Sequence, residues 1–313
     1  MKLILHLSQL NWPSPPGRLG ELLADIAGLA DGAGFDGIAT ADHMWQHPMM
    51  GGPEAPCLEA YTTLAFLAGH SRSLRLLTVV TGVHFRHPAV LAKTVTTLDV
   101  LSGGRAWLGI GAGHYQQECG GLGIPFPPLA TRFDMLEDAL EICTRMWMGE
   151  TGEGGAFTGT HFHAERLLNV PQALQKPRPG ILIAGGGETR TLALVARYGD
   201  ACSLRPGPDI AHKLGVLRRH CDDAGTDFER IERTCAFAFS PDDGGPATTA
   251  LIDQLRWLGG LGIDTVIGRL DGDDPRTTIE YLARHVLPAV EDLGRPDRPT
   301  VAQPIRPRED YAS

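Results

Sequence analysis

The residues best placed for chemistry are polar groups that come directly after apolar, strand-like runs. Asp42 and His43 follow FDGIAT (35–40), in the run ADHMW. A histidine next to a carboxylate suits acid–base work, because its unperturbed pKa of about 6.5 lies close to neutral pH. His43 is therefore the candidate catalytic residue. The other interpretation, a structural histidine held by Asp42, stays open on the sequence alone.

Two glycine-rich turns also follow apolar runs and could hold a phosphate or a ring. GIGAGHYQQ (109–117) fails the dinucleotide fingerprint, because His114 or Gln116 occupies the position of the third glycine. AGGGETR (184–190) is the stronger candidate, since its successive backbone N–H groups can form a nest at the start of the next helix. We expect a phosphate there and a positive φ at Gly186. A plain turn remains the alternative for each run.

Several other kinds of site are poorly supported. HFH (161–163) resembles a metal pair, but nothing nearby completes a ligand set, so no metal is expected. The sequence has no G-x-S-x-G elbow, and its six scattered cysteines form no C-x-x-C pair. Hydrolase chemistry, a zinc site and a disulfide framework are therefore not indicated, and the cysteines are expected to be reduced.

Charge and hydropathy limit the partners and the location. The 28 Lys and Arg against 37 Asp and Glu give a net charge of −9, which argues against nucleic acid or an anionic membrane as partner. MKLILHLSQLNW (1–12) is interpreted as a first strand and not as a signal peptide. No apolar run approaches the roughly 20 residues needed to span a bilayer. A cytoplasmic protein acting on a small molecule is expected.

Strand-like and helix-like segments alternate along the chain in eight units. Alternation of this kind implies parallel strands with right-handed crossovers, and eight units favour a (β/α)8 TIM barrel. An open doubly wound sheet is the alternative. The predicted strands are 3–7, 35–40, 74–82, 106–111, 180–185, 201–204, 233–239 and 264–270, and the predicted helices are 18–33, 58–70, 88–101, 131–147, 189–198, 208–224, 247–260 and 277–291.

Two segments break this rhythm. Residues 149–179 are rich in glycine and proline and are too long for a plain connection, so we expect an insertion that forms a lid over the barrel mouth. Residues 294–313 combine proline and charge without periodicity and are expected to be an extended or mobile tail. The remainder, residues 1–293, is expected to be a single barrel domain.

The barrel hypothesis brings the strand ends together at one mouth, because active sites of such barrels lie at the C-terminal ends of the strands. Candidate substrate-binding residues follow the first three strands: Asn11 and Trp12, then Trp45, then His84. His84 faces either the cavity or the core, and the sequence does not decide between them.

Longer runs resemble one family. ADH (41–43), RHPAVLAKTVTTLDVLSGGRAWLGIGAG (86–113) and ILIAGGGETRTLALVARYGDA (181–201) are similar to the bacterial luciferase-like flavin and deazaflavin oxidoreductases. The resemblance covers roughly residues 1–293. YQQECGGLGIPFPP (115–128) and RFDMLEDALEI (132–142) bring the chain nearest to the actinobacterial branch that depends on the deazaflavin coenzyme F420.

The resemblance implies a TIM barrel that binds a flavin-type ring at its mouth, with His43 beside the reactive face. It implies that 79–82 form a bulge of the third strand, often with a cis non-proline peptide, that supports the ring. It also implies that 184–187 hold the phosphate. The implied cofactor-binding residues are Asp42, Val79, Val80, Thr81, Gly82, Gly113, His114, Gln117, Ala184, Gly185, Gly186 and Gly187.

The expected function is therefore hydride transfer between coenzyme F420 and a small organic substrate, with His43 as proton donor or acceptor. An FMN-dependent luciferase-like monooxygenase that uses molecular oxygen is the alternative. A non-catalytic flavin-binding protein is a third possibility, against which the polar strand ends argue. The resemblance also implies a homodimer formed through helices near the second and third strands, where LAKTVTTLDVL (91–101) offers small and apolar side chains.

Overall fold

Eight parallel strand positions close into a barrel in the computed structural model, which describes residues 1–12, 15–150, 153–241, 245–270 and 272–293. The first strand pairs with both the second and the last, and β3 and β4 both pair with β5, so the sheet has no open edge. The predicted TIM barrel is confirmed, and the open sheet is excluded. The strands are β1 (Lys2–Leu7), β2 (Gly37–Thr40), β3 (Arg75–Thr78), β4 (Thr81–Gly82), β5 (Ala106–Gly111), β6 (Phe157–Thr158), β7 (His163–Ala164), β8 (Gly180–Ala184), β9 (Ala201–Leu204), β10 (Glu232–Phe239) and β11 (Thr265–Leu270).

Strands β3 and β4 are two parts of the third barrel strand, separated by Val79 and Val80. Strands β6 and β7 form a small antiparallel hairpin outside the barrel. The predicted tail, residues 294–313, lies outside the described residues.

Helices cover the outside of the barrel. They are α1 (Leu19–Ala33), α2 (Ala60–Gly69), α3 (Pro88–Ser102), α4 (Gln116–Leu122), α5 (Leu129–Trp147), α6 (Thr191–Tyr198), α7 (Ile210–Ala224), α8 (Pro246–Gly260), α9 (Pro275–His285) and α10 (Leu287–Val290). Helix α3 has the residues that typically begin and end a helix: Pro88 occupies its first turn, and Gly103 ends it with a φ of 73°. Helix α4 is an addition, since its residues were expected to form a loop. In the part of the chain that the structure describes, no helix is long and apolar enough to cross a membrane.

Side-chain alternation along the strands creates two cores. One face of each strand packs against the helices in a large outer core, while the other face fills the barrel interior. The interior cluster consists of Ile4, Ala39, Leu77, Trp107, Leu182, Ala201 and Ile267. Val79, Val80, Ala184 and Ala236 pack on this cluster from the side of the mouth, so the barrel is a filled support and not a pore.

The insertion between α5 and β8 is confirmed, but the prediction that it lies over the mouth is wrong. The amide of His161 donates to Asp138 of α5 at 2.7 Å, and the Asn169 side chain donates to Thr96 of α3 at 3.0 Å. The described residues 153–179 therefore pack against the outer helices. Because α5 runs back towards the N-terminal ends of the strands, a segment that follows it starts on the side opposite the mouth.

The N-terminal end of the barrel is closed by a buried ion pair. Arg75 donates two hydrogen bonds of 3.0 Å to Glu232, and the hydroxyl of Thr265 donates a third. Burial alone would raise the pKa of Glu232, but the charges of Arg75 and Lys2 and the Thr265 hydrogen bond outweigh burial and lower it to about 2. The Arg75 guanidinium also lies 4.3 Å from the centroid of the Trp107 ring.

We predict that Glu232→Gln destabilises the protein at neutral pH by about 3–5 kcal/mol, because it leaves a buried guanidinium without its anion. A carboxyl whose folded pKa lies below its unfolded value of about 4.3 contributes stability above that value, and the contribution is lost as pH falls towards the folded pKa. The free energy of unfolding of the variant should therefore depend less steeply on pH between about pH 4.3 and pH 2. Urea unfolding at several pH values measures both effects, with the exposed Glu165→Gln as matched control. Equal slopes in parent and variant would contradict the prediction.

Candidate active site

A cavity of about 640 Å³ opens at the C-terminal ends of the strands, as the barrel rule predicts. Its lining comes from the ends of β2, β4, β5, β8, β9 and β10, so residues far apart in sequence converge there. The predicted site residues that line it are Asp42, His43, Val79, Val80, Gly82, His84, Gly113, His114, Ala184, Gly185 and Gly186.

Six predicted site residues are not part of this lining: Asn11, Trp12, Trp45, Thr81, Gln117 and Gly187. Thr81 is fully buried, and its hydroxyl shares a hydrogen bond of 2.8 Å with Tyr61. The Trp45 ring packs so closely on Gly121 that a Cβ there would clash with it. Trp12 is buried in the outer core, so packing contacts are what the structure shows for Trp12 and Trp45.

His43 is oriented by Glu118, a residue that the sequence reasoning missed. Nδ1 of His43 lies 2.8 Å from a carboxylate oxygen of Glu118, whose side chain is fully buried. The other Glu118 oxygen accepts hydrogen bonds from the backbone amides of Met44 and Trp45, the latter at 2.9 Å. Burial alone would raise the pKa of Glu118, but these hydrogen bonds outweigh it and hold the pKa below its ordinary value. A buried carboxylate thus fixes the ring and leaves Nε2 available for proton exchange.

Asp42 does not hold His43, which corrects the expectation drawn from their adjacency. Its fully buried carboxylate accepts two hydrogen bonds from Arg86, at 2.5 and 3.1 Å. Arg86 also pairs with Glu59 at 2.5 Å and stacks over the Tyr61 ring. Side chains of adjacent residues on an extended chain point in opposite directions, so the two groups join different networks.

The floor of the cavity comes from the interrupted third strand. The peptide between Val79 and Val80 is cis, as the resemblance implied, and both side chains line the cavity. Across the floor, a Cβ on Gly111 would lie 3.2 Å from Val80, so glycine there keeps the surface open. This shallow apolar floor suits a planar ring system.

His84 lines the cavity beside these residues. Its Nε2 lies 3.1 Å from the Sγ of Cys119, and its ring packs edge-on against Phe126. Burial, together with the nearby charge of Arg132, lowers the pKa of His84 to about 4. His84 is therefore a neutral group at physiological pH and is less suited than His43 to exchange a proton.

The glycine loop after β8 forms the opposite wall of the cavity. Gly185 carries a φ of 126°, whereas Gly186, for which a positive φ was expected, is not in that conformation. The left-handed residue is the one that leaves the strand, because the chain turns there. Thr191, at the start of α6, and Lys213 of α7 line the same wall, and the Lys213 ammonium pairs with Glu188 at 2.6 Å.

Sequence reasoning missed several other lining residues: Phe85, Ala112, Tyr115, Phe133, Thr191, Ser203, Leu204, Arg205, Asp209, Lys213 and Ala236. Phe85 and Tyr115 each lie one residue from a predicted position, His84 and His114, and Ser203 and Arg205 lie at the end of a predicted strand. The strand-end rule applied to 201–204 could have found those two. Among the described residues, no group of histidine, cysteine, aspartate and glutamate side chains could hold a metal ion.

The barrel fold with its cavity at the mouth corresponds to a known protein family. The model of the luciferase-like monooxygenase family matches residues 3–284. The chain belongs to this family.

Two relatives match most of this chain. The chain is 28% identical over 228 residues to F420-dependent glucose-6-phosphate dehydrogenase of Gordonia bronchialis, a match covering 70% of this chain and 64% of the relative. It is 30% identical over 251 residues to F420-dependent hydroxymycolic acid dehydrogenase of Mycobacterium tuberculosis, covering 78% and 65%. The chain thus spans less than two thirds of the length of these relatives.

Two solved structures share the fold, both with a TM-score of 0.76. Monooxygenase RslO1 of Streptomyces bottropensis is 23% identical, with 92% of this chain and 99% of that chain covered. An F420-dependent secondary alcohol dehydrogenase, solved with an F420–acetone adduct, is 17% identical, with 93% and 99% covered.

We predict that Glu118→Ala lowers the free energy of unfolding by about 1–3 kcal/mol, because the amides of Met44 and Trp45 lose their buried acceptor. Glu118→Gln should cost less, since an amide oxygen can still accept from both backbone groups. Urea unfolding measures the loss, and hydrogen exchange at the two amides shows whether it is local. The exposed neighbour Gln116→Ala is the control. Unchanged exchange in Glu118→Ala would show that the carboxylate does not hold this segment.

Proposed function

We propose that this protein is an F420-dependent oxidoreductase that transfers a hydride between the deazaflavin and a small organic substrate, with His43 as proton donor or acceptor. The observation that carries the proposal is the His43–Glu118 pair, which faces a cavity with an apolar floor and a glycine-loop wall. The names of the F420-dependent relatives support the choice of cofactor. We assign the activity to a single barrel domain, residues 1–293.

The residues present fit a flavin-type cofactor. The floor at Val79, Val80 and Gly111 leaves room for a planar ring, because none of these three positions carries a large side chain. Gly185 and Gly186 would accept the phosphate, with Lys213 supplying a positive charge beside them: a Cβ on Gly186 would lie 3.7 Å from Lys213 Cε. This arrangement supports a ring at the centre of the mouth and a phosphate at its β8 side.

A bound deazaflavin supplies two-electron chemistry, the acceptance or release of a hydride. The protein must then handle the accompanying proton. Because Glu118 holds Nδ1 of His43, Nε2 is the nitrogen that takes the proton from an alcohol or returns it to a carbonyl. The ionised Glu118 stabilises the imidazolium that forms, since the two opposite charges lie in a partly buried pair.

The alternative is an FMN-dependent monooxygenase, supported by the luciferase-like family match. Both cofactors share a flat ring and a first phosphate, so the same cavity accommodates either. The two hypotheses differ in affinity and in the need for oxygen.

Binding and turnover test the proposal together. Purified protein is titrated with F420 and with FMN, followed by fluorescence, and then incubated with oxidised F420 and a panel of alcohols that includes 2-propanol and glucose 6-phosphate. We expect tight binding of F420 and a loss of deazaflavin fluorescence with at least one alcohol in the absence of oxygen. Tight binding of FMN alone, with oxygen-dependent turnover, would favour the alternative.

We predict that His43→Ala retains most of the cofactor affinity, because the glycine loop supplies much of it, and loses on the order of 10²-fold or more in turnover. Binding titration and steady-state kinetics measure the two quantities separately. His163→Ala, an exposed histidine on the outer hairpin, is the control. Near-parental turnover in His43→Ala would make this residue a structural contact only.

We also propose that the protein is a homodimer that pairs through α3 and its neighbours. Val90 and Leu101 lie on α3 and are 57% and 70% exposed, and Val170 of the insertion is 61% exposed. Apolar side chains of this size on one surface favour a protein contact. Light scattering at micromolar concentration should give twice the 33.6 kDa mass of the chain. A mass near that of one chain would refute the dimer.

A further inference from the structure

Three histidine rings stand together at the rim of the cavity: His43, His47 and His114. The centroid of the His114 ring lies 5.6 Å from that of His43 and 5.3 Å from that of His47, and His43 and His47 are 6.4 Å apart. Rings at these separations can be connected by a bridging water, through which a proton passes from one imidazole to the next. The group of three rings is called the histidine trio below.

The three rings of the histidine trio differ in exposure, from the interior to the surface. Glu118, behind His43, is fully buried, and the His43 side chain is 16% exposed. His47 is half-buried, and His114 is exposed. A proton that reaches His43 from the cavity therefore has two further imidazoles between it and the surface.

Hydrogen bonds fix the available nitrogen of two of these rings. Nδ1 of His43 is held by Glu118, and Nδ1 of His47 accepts the backbone amide of Met49 at 3.3 Å. In both rings the exchanging atom is therefore Nε2. A defined tautomer at each position suits stepwise proton transfer.

The other groups that face His43 are poor proton acceptors. Phe85 and Tyr115 contact its ring edge-on, with centroids 6.5 and 5.9 Å away. The Cys57 thiol donates to the His43 carbonyl, and burial raises the pKa of that thiol to about 11. The remaining titratable neighbours are Asp42, bound by Arg86, His84, bound to Cys119, and His6, whose pKa burial lowers to about 4. His47 and His114 are the two further imidazoles whose rings lie beside His43 on the way to the surface.

We propose that His114 and His47 relay the reaction's proton between His43 and solvent. The inference rests on the proposed function. In alcohol oxidation the O–H bond breaks and its proton passes to Nε2 of His43, while the C–H bond breaks and its electron pair leaves as hydride to the cofactor. The product is a carbonyl compound, and the remaining proton moves from His43 to His114 or His47 and on to water. Carbonyl reduction uses the same path in reverse.

The electrostatics of the histidine trio support this direction. Desolvation by the neighbouring rings lowers the pKa of His114 although the residue reaches the surface, and the positive charges of His43, His47 and Arg205 lower it further. Burial and the charge of His43 likewise lower the pKa of His47. A positive charge on His43 repels a proton on His47 or His114, so these two rings bind a proton more weakly. The relay therefore releases the proton to water.

The first test uses the ligand-free protein and needs no substrate. Nuclear magnetic resonance titration follows the ring of His114 in the parent, in His47→Ala and in the control His163→Ala. We expect the pKa of His114 to rise towards its ordinary value in His47→Ala, because a neighbouring positive charge is lost, and to stay unchanged in the control. An unchanged pKa in His47→Ala would overturn the relay.

The second test uses F420 and the most active alcohol of the panel, in a buffer that carries protons poorly. We expect the His47→Ala, His114→Ala double variant to lose about 10-fold or more in steady-state turnover, less than the ~10²–10⁴ of an acid–base group. Added imidazole should restore turnover, and the single-turnover hydride step should keep its parental rate. Failure of imidazole to restore turnover, or an equal loss in the hydride step, would overturn the relay. If the parent protein oxidises no alcohol of the panel, the proposed function is wrong. The magnetic resonance titration then remains as the test of the interaction between His47 and His114.

Discussion

The buried carboxylate of Glu118 is the interaction on which the mouth of this barrel depends. It links α4 to three groups that lie 73 to 75 positions earlier in the chain: the His43 ring and the amides of Met44 and Trp45. A buried charge is costly unless several donors converge on it, and here three do. The same contacts orient the His43 ring and fix the start of the loop after β2. Removing one acceptor would therefore disturb chemistry and architecture together.

Glycines within β5 and just after it make this contact possible by allowing close approach. A Cβ on Gly109 would clash with the backbone carbonyl of Thr78, and a Cβ on Gly113 would clash with the His84 ring. Gly113 also has a φ of 79°, which L side chains rarely adopt. These glycines bring β5 against the third strand and direct the chain into α4. They shape the cavity, whereas the loop at Gly185 provides the wall suited to a phosphate.

Much of this site follows from two rules that a sequence supplies: the strand–helix alternation and the position of polar residues at strand ends. They predicted His43, His114 and Gly185 at one mouth. They could not predict Glu118, because its partner is chosen by packing between segments some 75 residues apart. Asp42 and His43 are adjacent in sequence, but side chains of neighbouring residues on an extended chain point in opposite directions. Adjacency therefore did not identify the partner of His43. The insertion was misplaced although its position after α5 already implied the end of the barrel opposite the mouth.

Local charge, and not net charge, determines what this mouth attracts. The chain carries a net charge of −9, yet each carboxylate lining the cavity has a cation beside it. Asp42 is bound by Arg86, and Asp209 lies 3.9 Å from Lys213, whose ammonium also pairs with Glu188 at 2.6 Å. Arg205 and the histidine trio add donors without adding free acids among the described lining residues. An acidic protein can therefore repel extended polyanions and still hold a small anionic ligand, because the field inside a cleft is set by the groups that line it.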